Sequence, residues 1–166
     1  MKIHKIPQTI QTLIFDIDST LYSNDDYAFE QVDCQVREFA RIRNMSAEDA
    51  RKLVRDFRKD FAEKNDGKKI SLGNLLTNFG ISIEQSVQWR NELMRPKDFL
   101  VRDENLISEL KILSKKYKLI CVTNNPVKPA RKTLEVIGIS DFFEEIVGLD
   151  TCYKSKPAIE PFEKAL

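Results

Sequence analysis

Two short apolar runs constrain the fold of this chain more than any other feature. They are Thr12–Phe15 and Lys118–Val122, and each ends directly before polar residues. Runs this short are too brief for helices and are typical of strands buried in a parallel sheet. A third candidate strand covers 145–149. We therefore expect a parallel sheet with polar residues following each of its strands.

The segments between these runs have the three- and four-residue apolar spacing of amphipathic helices. Ser46 begins one of them, with Asp49 three residues later in a capping-box-like arrangement. Strands that alternate with helices predict the α/β class, with a parallel sheet built from right-handed crossovers. An all-helical insertion, residues 24–96, interrupts the first crossover. The predicted helices lie near 27–44, 46–64, 72–79, 83–94, 106–113, 126–137 and 157–166.

Composition excludes some classes of function. Lys and Arg number 27 against 26 Asp and Glu, so no basic excess exists to bind a nucleic acid polymer. No apolar stretch approaches the roughly 20 residues of a membrane span, and the N-terminus lacks the apolar core of a signal peptide. The three cysteines form no CxxC pair and are expected to be reduced thiols of a cytoplasmic protein. His4 is expected on the surface and Trp89 in a core.

Each predicted strand is followed by residues that suit one kind of chemistry. Asp16 and Asp18 follow the first strand, and Thr123 and Asn124 follow the second. Lys156 lies a few residues past the third, and the carboxyl ends of parallel strands meet at one edge of a sheet. One carboxylate can attack phosphorus while the other transfers protons, and a hydroxyl and an ammonium group can stabilise the transferring phosphoryl group. The set predicts phosphate-ester chemistry, with oxygen ligands suited to Mg²⁺.

Structural roles for the same residues remain open at this point. Asp16 and Asp18 could accept hydrogen bonds in a turn. Thr123 and Asn124 could cap the following helix, a role compatible with phosphate binding because both use the same helix N-terminus. An isolated lysine such as Lys156 is usually solvated. The occurrence of all of them in order, each at a strand end, favours a functional site.

These residues carry a resemblance to a known family. The run Phe15–Tyr22 resembles the first motif of the haloacid dehalogenase superfamily, Thr123-Asn124 its second motif and Lys156-Pro157 its third. The resemblance covers essentially the whole chain, since the helical insertion is similar to the family's helical cap. It implies a Rossmann-like core of residues 1–23 and 97–166 with a helical cap at 24–96.

The resemblance also implies roles for individual residues. Asp16 would be the nucleophile, Asp18 the general acid and base, and Lys156 the group that holds the phosphate and the nucleophile together. Mg²⁺ would be bound by the Asp16 side chain and the Asp18 backbone carbonyl. Family members with the second aspartate are usually phosphatases, so the expected substrate is a small phosphorylated metabolite. The residues expected to bind the substrate are Thr20, Thr123 and Asn124.

A narrower resemblance concerns the substrate. The runs 16–22, 66–76 and 153–157 look like those of the pyrimidine 5′-nucleotidase subgroup. A nucleoside 5′-monophosphate is therefore the substrate that the sequence favours.

Three departures from the family pattern stand out. Ser19 occupies a position where Gly or Asn is frequent, and Asn125 one where Gly is common and where a side chain could narrow the phosphate-binding loop. The sequence ends at Leu166, before the fourth motif, an acidic pair or triplet on a further strand that completes the magnesium site. We therefore predict a C-terminally truncated form with an incomplete sheet.

Two alternatives to a phosphatase follow from these observations. One is a catalytically inactive module that binds phosphate or regulates a partner, which the missing fourth motif favours. The other is a phosphomutase, which a helical cap allows. An exposed edge at the third strand and uncovered apolar helix faces also predict self-association or poor solubility.

Overall fold

The computed structural model describes residues 9–166, and His4 lies outside them. The chain divides into two compact units, one formed by 9–23 together with Leu100–Leu166 and the other by Asn24–Phe99. None of the helices in the described range is long and apolar enough to cross a membrane.

The first unit is built on a parallel sheet. Its strands are β1 (Thr12–Phe15), β2 (Lys118–Val122) and β3 (Glu145–Val147), in the order β1-β2-β3. Leu13 pairs with Leu119, and Cys121 pairs with Ile146. The central strand is buried from its second residue onward, which explains its continuous apolar sequence. The α/β class and the parallel sheet predicted from the sequence are confirmed.

Helices fill the rest of both units. Along the chain they are α1 (Asp25–Ile42), α2 (Ala47–Lys64), α3 (Leu72–Thr77), α4 (Ile83–Leu93), α5 (Glu104–Leu113), α6 (Val127–Val136), α7 (Leu149–Cys152) and α8 (Glu160–Ala165). Short 3₁₀ turns occur at Pro96–Asp98 and Ser140–Phe142.

The second unit contains helices α1 to α4, which begin at clear capping residues. The Asn24 side chain accepts a hydrogen bond from the Tyr27 amide. The Ser46 hydroxyl accepts one from the Asp49 amide, and this second cap was predicted from the sequence. The helices enclose an apolar core that includes Phe39 and the predicted core residue Trp89. This compact unit therefore has a hydrophobic core of its own.

Two predicted boundaries in the first unit were wrong. The third strand ends at Val147 rather than at Leu149, because the Leu149 amide donates to the Asn125 carbonyl and the chain already turns into α7. The last helix begins at Glu160 rather than at Pro157. The Ala158 amide donates to the Ser155 carbonyl, so the backbone at Pro157 is still in a turn.

Candidate active site

In the loop that follows β1, the apolar side chains are buried and the side chains of the two aspartates are more exposed. Ile17 and Leu21 are buried, at 1% and 7% exposure, and alternate with the more exposed Asp16 and Asp18. The Leu21 amide donates to the Ile17 carbonyl, and Ser19 has a φ of 58°. The chain therefore turns sharply after Asp18 while its apolar side chains remain fixed in the core.

Lys156 forms an ion pair with Asp16. Its Nζ lies 2.6 Å from Asp16 Oδ1 and donates to the Val122 carbonyl at 2.9 Å. The lysine side chain is only 19% exposed, whereas that of Asp16 is 44% exposed. The ammonium group is thus fixed at the end of β2, beside a carboxylate that solvent can reach.

Asp18 is held by two side chains. Its Oδ1 accepts a hydrogen bond from the Tyr22 hydroxyl at 2.5 Å, and its Oδ2 accepts one from Asn125 Nδ2 at 2.9 Å. Tyr22 comes from the loop after β1, and Asn125 from the loop after β2. The Asp18 carboxylate therefore joins two of the loops at this edge of the sheet.

Thr123 and Asn124 occupy different surroundings. Thr123 is 3% exposed, its amide donates to the Val147 carbonyl, and its hydroxyl accepts from the Asn125 amide. Asn124 is exposed, and its Oδ1 accepts a hydrogen bond from the Lys156 amide at 2.7 Å. Asn124 thus positions the loop that carries the lysine, a role not foreseen from the sequence.

Thr20 is the predicted site residue with the weakest structural connection. It lies exposed in the turn after Asp18, and its amide donates to the Ile17 carbonyl at 3.3 Å. Its hydroxyl makes no hydrogen bond within residues 9–166. The hydroxyl is therefore available to solvent or to a ligand.

Sequence reasoning missed several residues that build this edge. Gly148 approaches the loop after β2 so closely that an added Cβ would lie 2.6 Å from the Val127 amide nitrogen and 2.7 Å from the Asn125 carbonyl oxygen. The Val127 amide, at the start of α6, donates to Asp150 Oδ1. Tyr22, four residues after Asp18, lies in the run that resembles the first motif, but its side chain was not predicted to belong to the site. The one signal in the sequence was Gly148 itself, a glycine inside the predicted third strand, because such a glycine often marks the close approach of another backbone.

Cys121 lies in β2 and is fully buried. Burial, and then the negative charge of Asp16, raise the pKa of its thiol to about 12. The thiol is therefore neutral at physiological pH and unsuited to act as a nucleophile. Cys34, Cys121 and Cys152 are all free.

The oxygen ligands after β1 fit a hard divalent cation. Asp16 Oδ1 contacts the Ile17 amide and Lys156, whereas Oδ2 accepts no hydrogen bond from any described residue. No group of three or more acidic, His or Cys side chains in the described range could hold a metal ion. Mg²⁺ commonly takes one or two protein carboxylates and completes its shell with water and phosphate oxygens. Asp16 is suited to this shared coordination.

Comparisons with known proteins place the chain in a family. Pyrophosphatase PpaX of Listeria welshimeri is 26% identical over 160 residues, which are 95% of this chain and 68% of the relative. The HAD phosphatase from Thermococcus onnurineus matches in structure with a TM-score of 0.55 and 21% identity, over 93% of this chain and 69% of the other. The HAD-hydrolase YfnB from Bacillus subtilis, solved bound to magnesium, matches with a TM-score of 0.50 and 18% identity, over 95% and 72%. A family model described as haloacid dehalogenase-like hydrolase matches residues 13–166, and the chain therefore belongs to this family of hydrolases.

Proposed function

We propose that this protein is a magnesium-dependent phosphatase of a small phosphorylated metabolite that acts through an aspartyl-phosphate intermediate. The observation that carries the proposal is the ion pair between Asp16 and Lys156, next to the hydrogen-bonded Asp18. A half-exposed carboxylate beside a fixed ammonium group is suited to attack a phosphoryl group whose charge the ammonium neutralises. Residues 24–96 would serve as the helical cap and residues 1–23 and 97–166 as the catalytic core.

The first step would transfer the phosphoryl group to the protein. Asp16 attacks phosphorus, a bond forms between its carboxylate oxygen and phosphorus, and the bond from phosphorus to the leaving oxygen breaks. Asp18, in its protonated form, gives its proton to that leaving oxygen, so that the leaving group departs protonated, as an alcohol when the substrate is a phosphate ester. Lys156, together with Thr123 in the loop after β2, would stabilise the charge on the phosphoryl oxygens.

The second step would regenerate the protein. Asp18, now ionised, takes a proton from a water molecule whose oxygen attacks phosphorus. The bond between phosphorus and Asp16 breaks, and inorganic phosphate leaves. One water molecule is consumed in each cycle, and Asp18 recovers its proton.

Mg²⁺ would be held by the Asp16 side chain and the Asp18 backbone carbonyl. When bound, it supplies positive charge close to the phosphoryl oxygens. The side-chain oxygens of Asp18 already accept hydrogen bonds from Tyr22 and Asn125, which supports the backbone carbonyl as the metal ligand on this residue.

The substrate is the finer part of the proposal. The resemblance of the motifs to pyrimidine 5′-nucleotidases favours a nucleoside 5′-monophosphate. Inorganic pyrophosphate is a second candidate, because the curated relative at 26% identity is named a pyrophosphatase. Both present a terminal phosphoryl group on a leaving oxygen, as the two proposed steps require.

The test is phosphate release from nucleoside monophosphates, small phosphate esters and pyrophosphate, with and without Mg²⁺. We expect magnesium-dependent release, and we expect Asp16→Asn to abolish it while the unfolding midpoint remains close to that of the wild type. An active Asp16→Asn protein would contradict the aspartyl-phosphate route. Binding of phosphate without any release would favour the binding module, and transfer of the phosphoryl group to an added alcohol or sugar phosphate would favour the phosphomutase.

A further inference from the structure

We propose that Tyr22 and Asn125 are positioning residues that aim the Asp18 carboxyl group at the leaving oxygen of the substrate. This inference rests on the proposed phosphatase function and assigns roles to two side chains that touch the proton-transferring group. The Tyr22 hydroxyl lies 2.5 Å from one Asp18 oxygen, a short contact, and Asn125 Nδ2 lies 2.9 Å from the other, an ordinary hydrogen-bond distance.

The two donors approach different oxygens of one carboxyl group. A single hydrogen bond leaves a carboxyl group free to rotate about its last side-chain bond, whereas one bond to each oxygen fixes the plane of the group. An ionised carboxylate offers about four lone-pair positions on its two oxygens. The bonds from Tyr22 and Asn125 use one position on each oxygen, so they orient the Asp18 carboxyl group and do not by themselves occupy every position at which it can carry or receive a proton.

The backbone brings both donors to Asp18 from well-anchored positions. Tyr22 returns to the side of Asp18 because the loop turns at Ser19, and a parallel bridge joins Asp18 and Tyr22. Asn125 is held from the other side, since its carbonyl accepts the Leu149 amide at 2.9 Å and its amide donates to the Thr123 hydroxyl. Each donor is therefore placed by contacts that do not involve the Asp18 side chain.

Positioning of a general acid has a specific kinetic consequence. An alkyl phosphate has a poor leaving group, so bond breaking depends on the proton from Asp18. p-Nitrophenyl phosphate has a good leaving group, which departs as a stable anion without that proton. Loss of orientation at Asp18 should therefore lower kcat/KM for the alkyl ester much more than for the aryl ester, because kcat/KM reports the transfer of the phosphoryl group to Asp16. Damage to the fold would lower both equally.

The experiment compares kcat/KM of the 166-residue protein and its Tyr22→Phe variant on glycerol 2-phosphate and p-nitrophenyl phosphate, with Mg²⁺ present. General acid catalysis contributes about 10²- to 10⁴-fold, so partial loss of orientation should cost about 10- to 100-fold on the alkyl ester and less than about threefold on the aryl ester. Asn125→Ala should give the same contrast and serves as the second variant if Tyr22→Phe unfolds. Tyr117→Phe, which removes a hydroxyl next to the opposite end of β2, is the matched control and should change neither value.

The outcomes separate this inference from the proposed function. Equal losses on the two esters, unchanged values or an increase in the variants would overturn the positioning role while leaving the phosphatase intact. A wild-type protein that releases phosphate from neither ester nor from the wider panel would overturn the proposed function itself, and this inference with it.

Discussion

Ser19 adopts a backbone conformation that its residue type disfavours. Its φ of 58° lies in the left-handed region, which costs a residue with a Cβ roughly 1–2 kcal/mol. The conformation gives a physical reason why Gly or Asn is frequent at this position, because the left-handed conformation is unstrained for Gly and less unfavourable for Asn than for Ser. The turn that it makes is the one that returns Tyr22 to Asp18.

We expect Ser19→Gly to raise the free energy of unfolding by about 0.5–1 kcal/mol. Relief of the left-handed conformation exceeds the additional entropy that glycine brings to the unfolded chain, which is roughly 0.5–1 kcal/mol. Urea unfolding measures the difference. Ser108→Gly, at an exposed position inside α5, is the matched control and should destabilise by about 0.5 kcal/mol. Destabilisation at both positions would show that the turn does not require the left-handed conformation.

The sequence was sufficient to predict which residues gather at the edge of the sheet, but not how they pair. Asp16 and Lys156 could be assigned because each closely follows a strand, and parallel strands end at one edge. The contacts of Asn125 could not, because a contact between side chains of two different loops depends on rotamers and loop conformation that no local pattern encodes. Asn125, whose side chain could narrow the phosphate-binding loop, donates a hydrogen bond to Asp18, and the sequence did not indicate this contact.

The loops after β2 and β3 meet at Gly148, where no side chain fits. Any Cβ there would overlap backbone atoms of Asn125 and Val127, which cannot move as the end of a side chain can. The boundary of the third strand was predicted too late for the same reason. The apolar run at 145–149 does not reveal that the backbone amide of Leu149 already donates a hydrogen bond to the loop after β2.

We expect Gly148→Ala to destabilise the protein by about 1–3 kcal/mol and to lower phosphatase activity, because relief of the overlap must displace the loop that carries Thr123 and Asn125. Chemical unfolding and phosphate release measure the two effects. Gly73→Ala, in α3, is the matched control: its nearest neighbour would be an ordinary 3.5 Å contact with Ile83, and alanine favours the helix. A fully active, stable Gly148→Ala protein would show that the two loops need not approach closely.

Helices α1 and α2 are joined by a buried carboxylate. Asp33, on α1, is 3% exposed and accepts two hydrogen bonds from Arg51 of α2, at 2.7 and 2.8 Å, and one from Arg37. The hydrogen bonds from Arg51, followed by the weaker effect of Arg37, lower the pKa of Asp33 below its ordinary value of 3.8. Lowering of the folded-state pKa means that ionisation of Asp33 stabilises the folded unit.

The Asp33 carboxylate should make the free energy of unfolding of the helical unit depend on pH in the acidic range. The contribution is fully present above about pH 4 and is lost as the pH falls through the lowered pKa of the folded state. Asp33→Asn should reduce the free energy of unfolding at pH 7 by about 1–3 kcal/mol and flatten its dependence on pH below 4. Urea unfolding between pH 2.5 and 7 measures both effects, with the exposed Asp60→Asn as control. Parallel pH profiles for the wild type and Asp33→Asn would contradict the assignment.

Within residues 9–166, the parallel sheet has two edge strands. β1 and β3 each bond to β2 on one side, and no other strand of the described residues pairs with their second side. Ile146 and Val147 of β3 are buried, whereas Ile14 of β1 is 37% exposed. The sequence led us to expect the open edge at the third strand, and the exposed apolar side chain makes β1 the stronger candidate.

We therefore expect the protein to self-associate through β1, because an edge strand with exposed apolar residues offers unpaired backbone groups to a second copy. Sedimentation velocity over a wide range of concentrations should show association, and Ile14→Lys should shift the protein toward monomer because a charge on an edge strand opposes pairing. Ile112→Lys, at a more exposed position on the helix α5 and not on an edge strand, should leave association unchanged. If both variants weaken association equally, general surface hydrophobicity is the cause. A monomer at every concentration would instead mean that the edge of β1 is already protected within one copy of the chain.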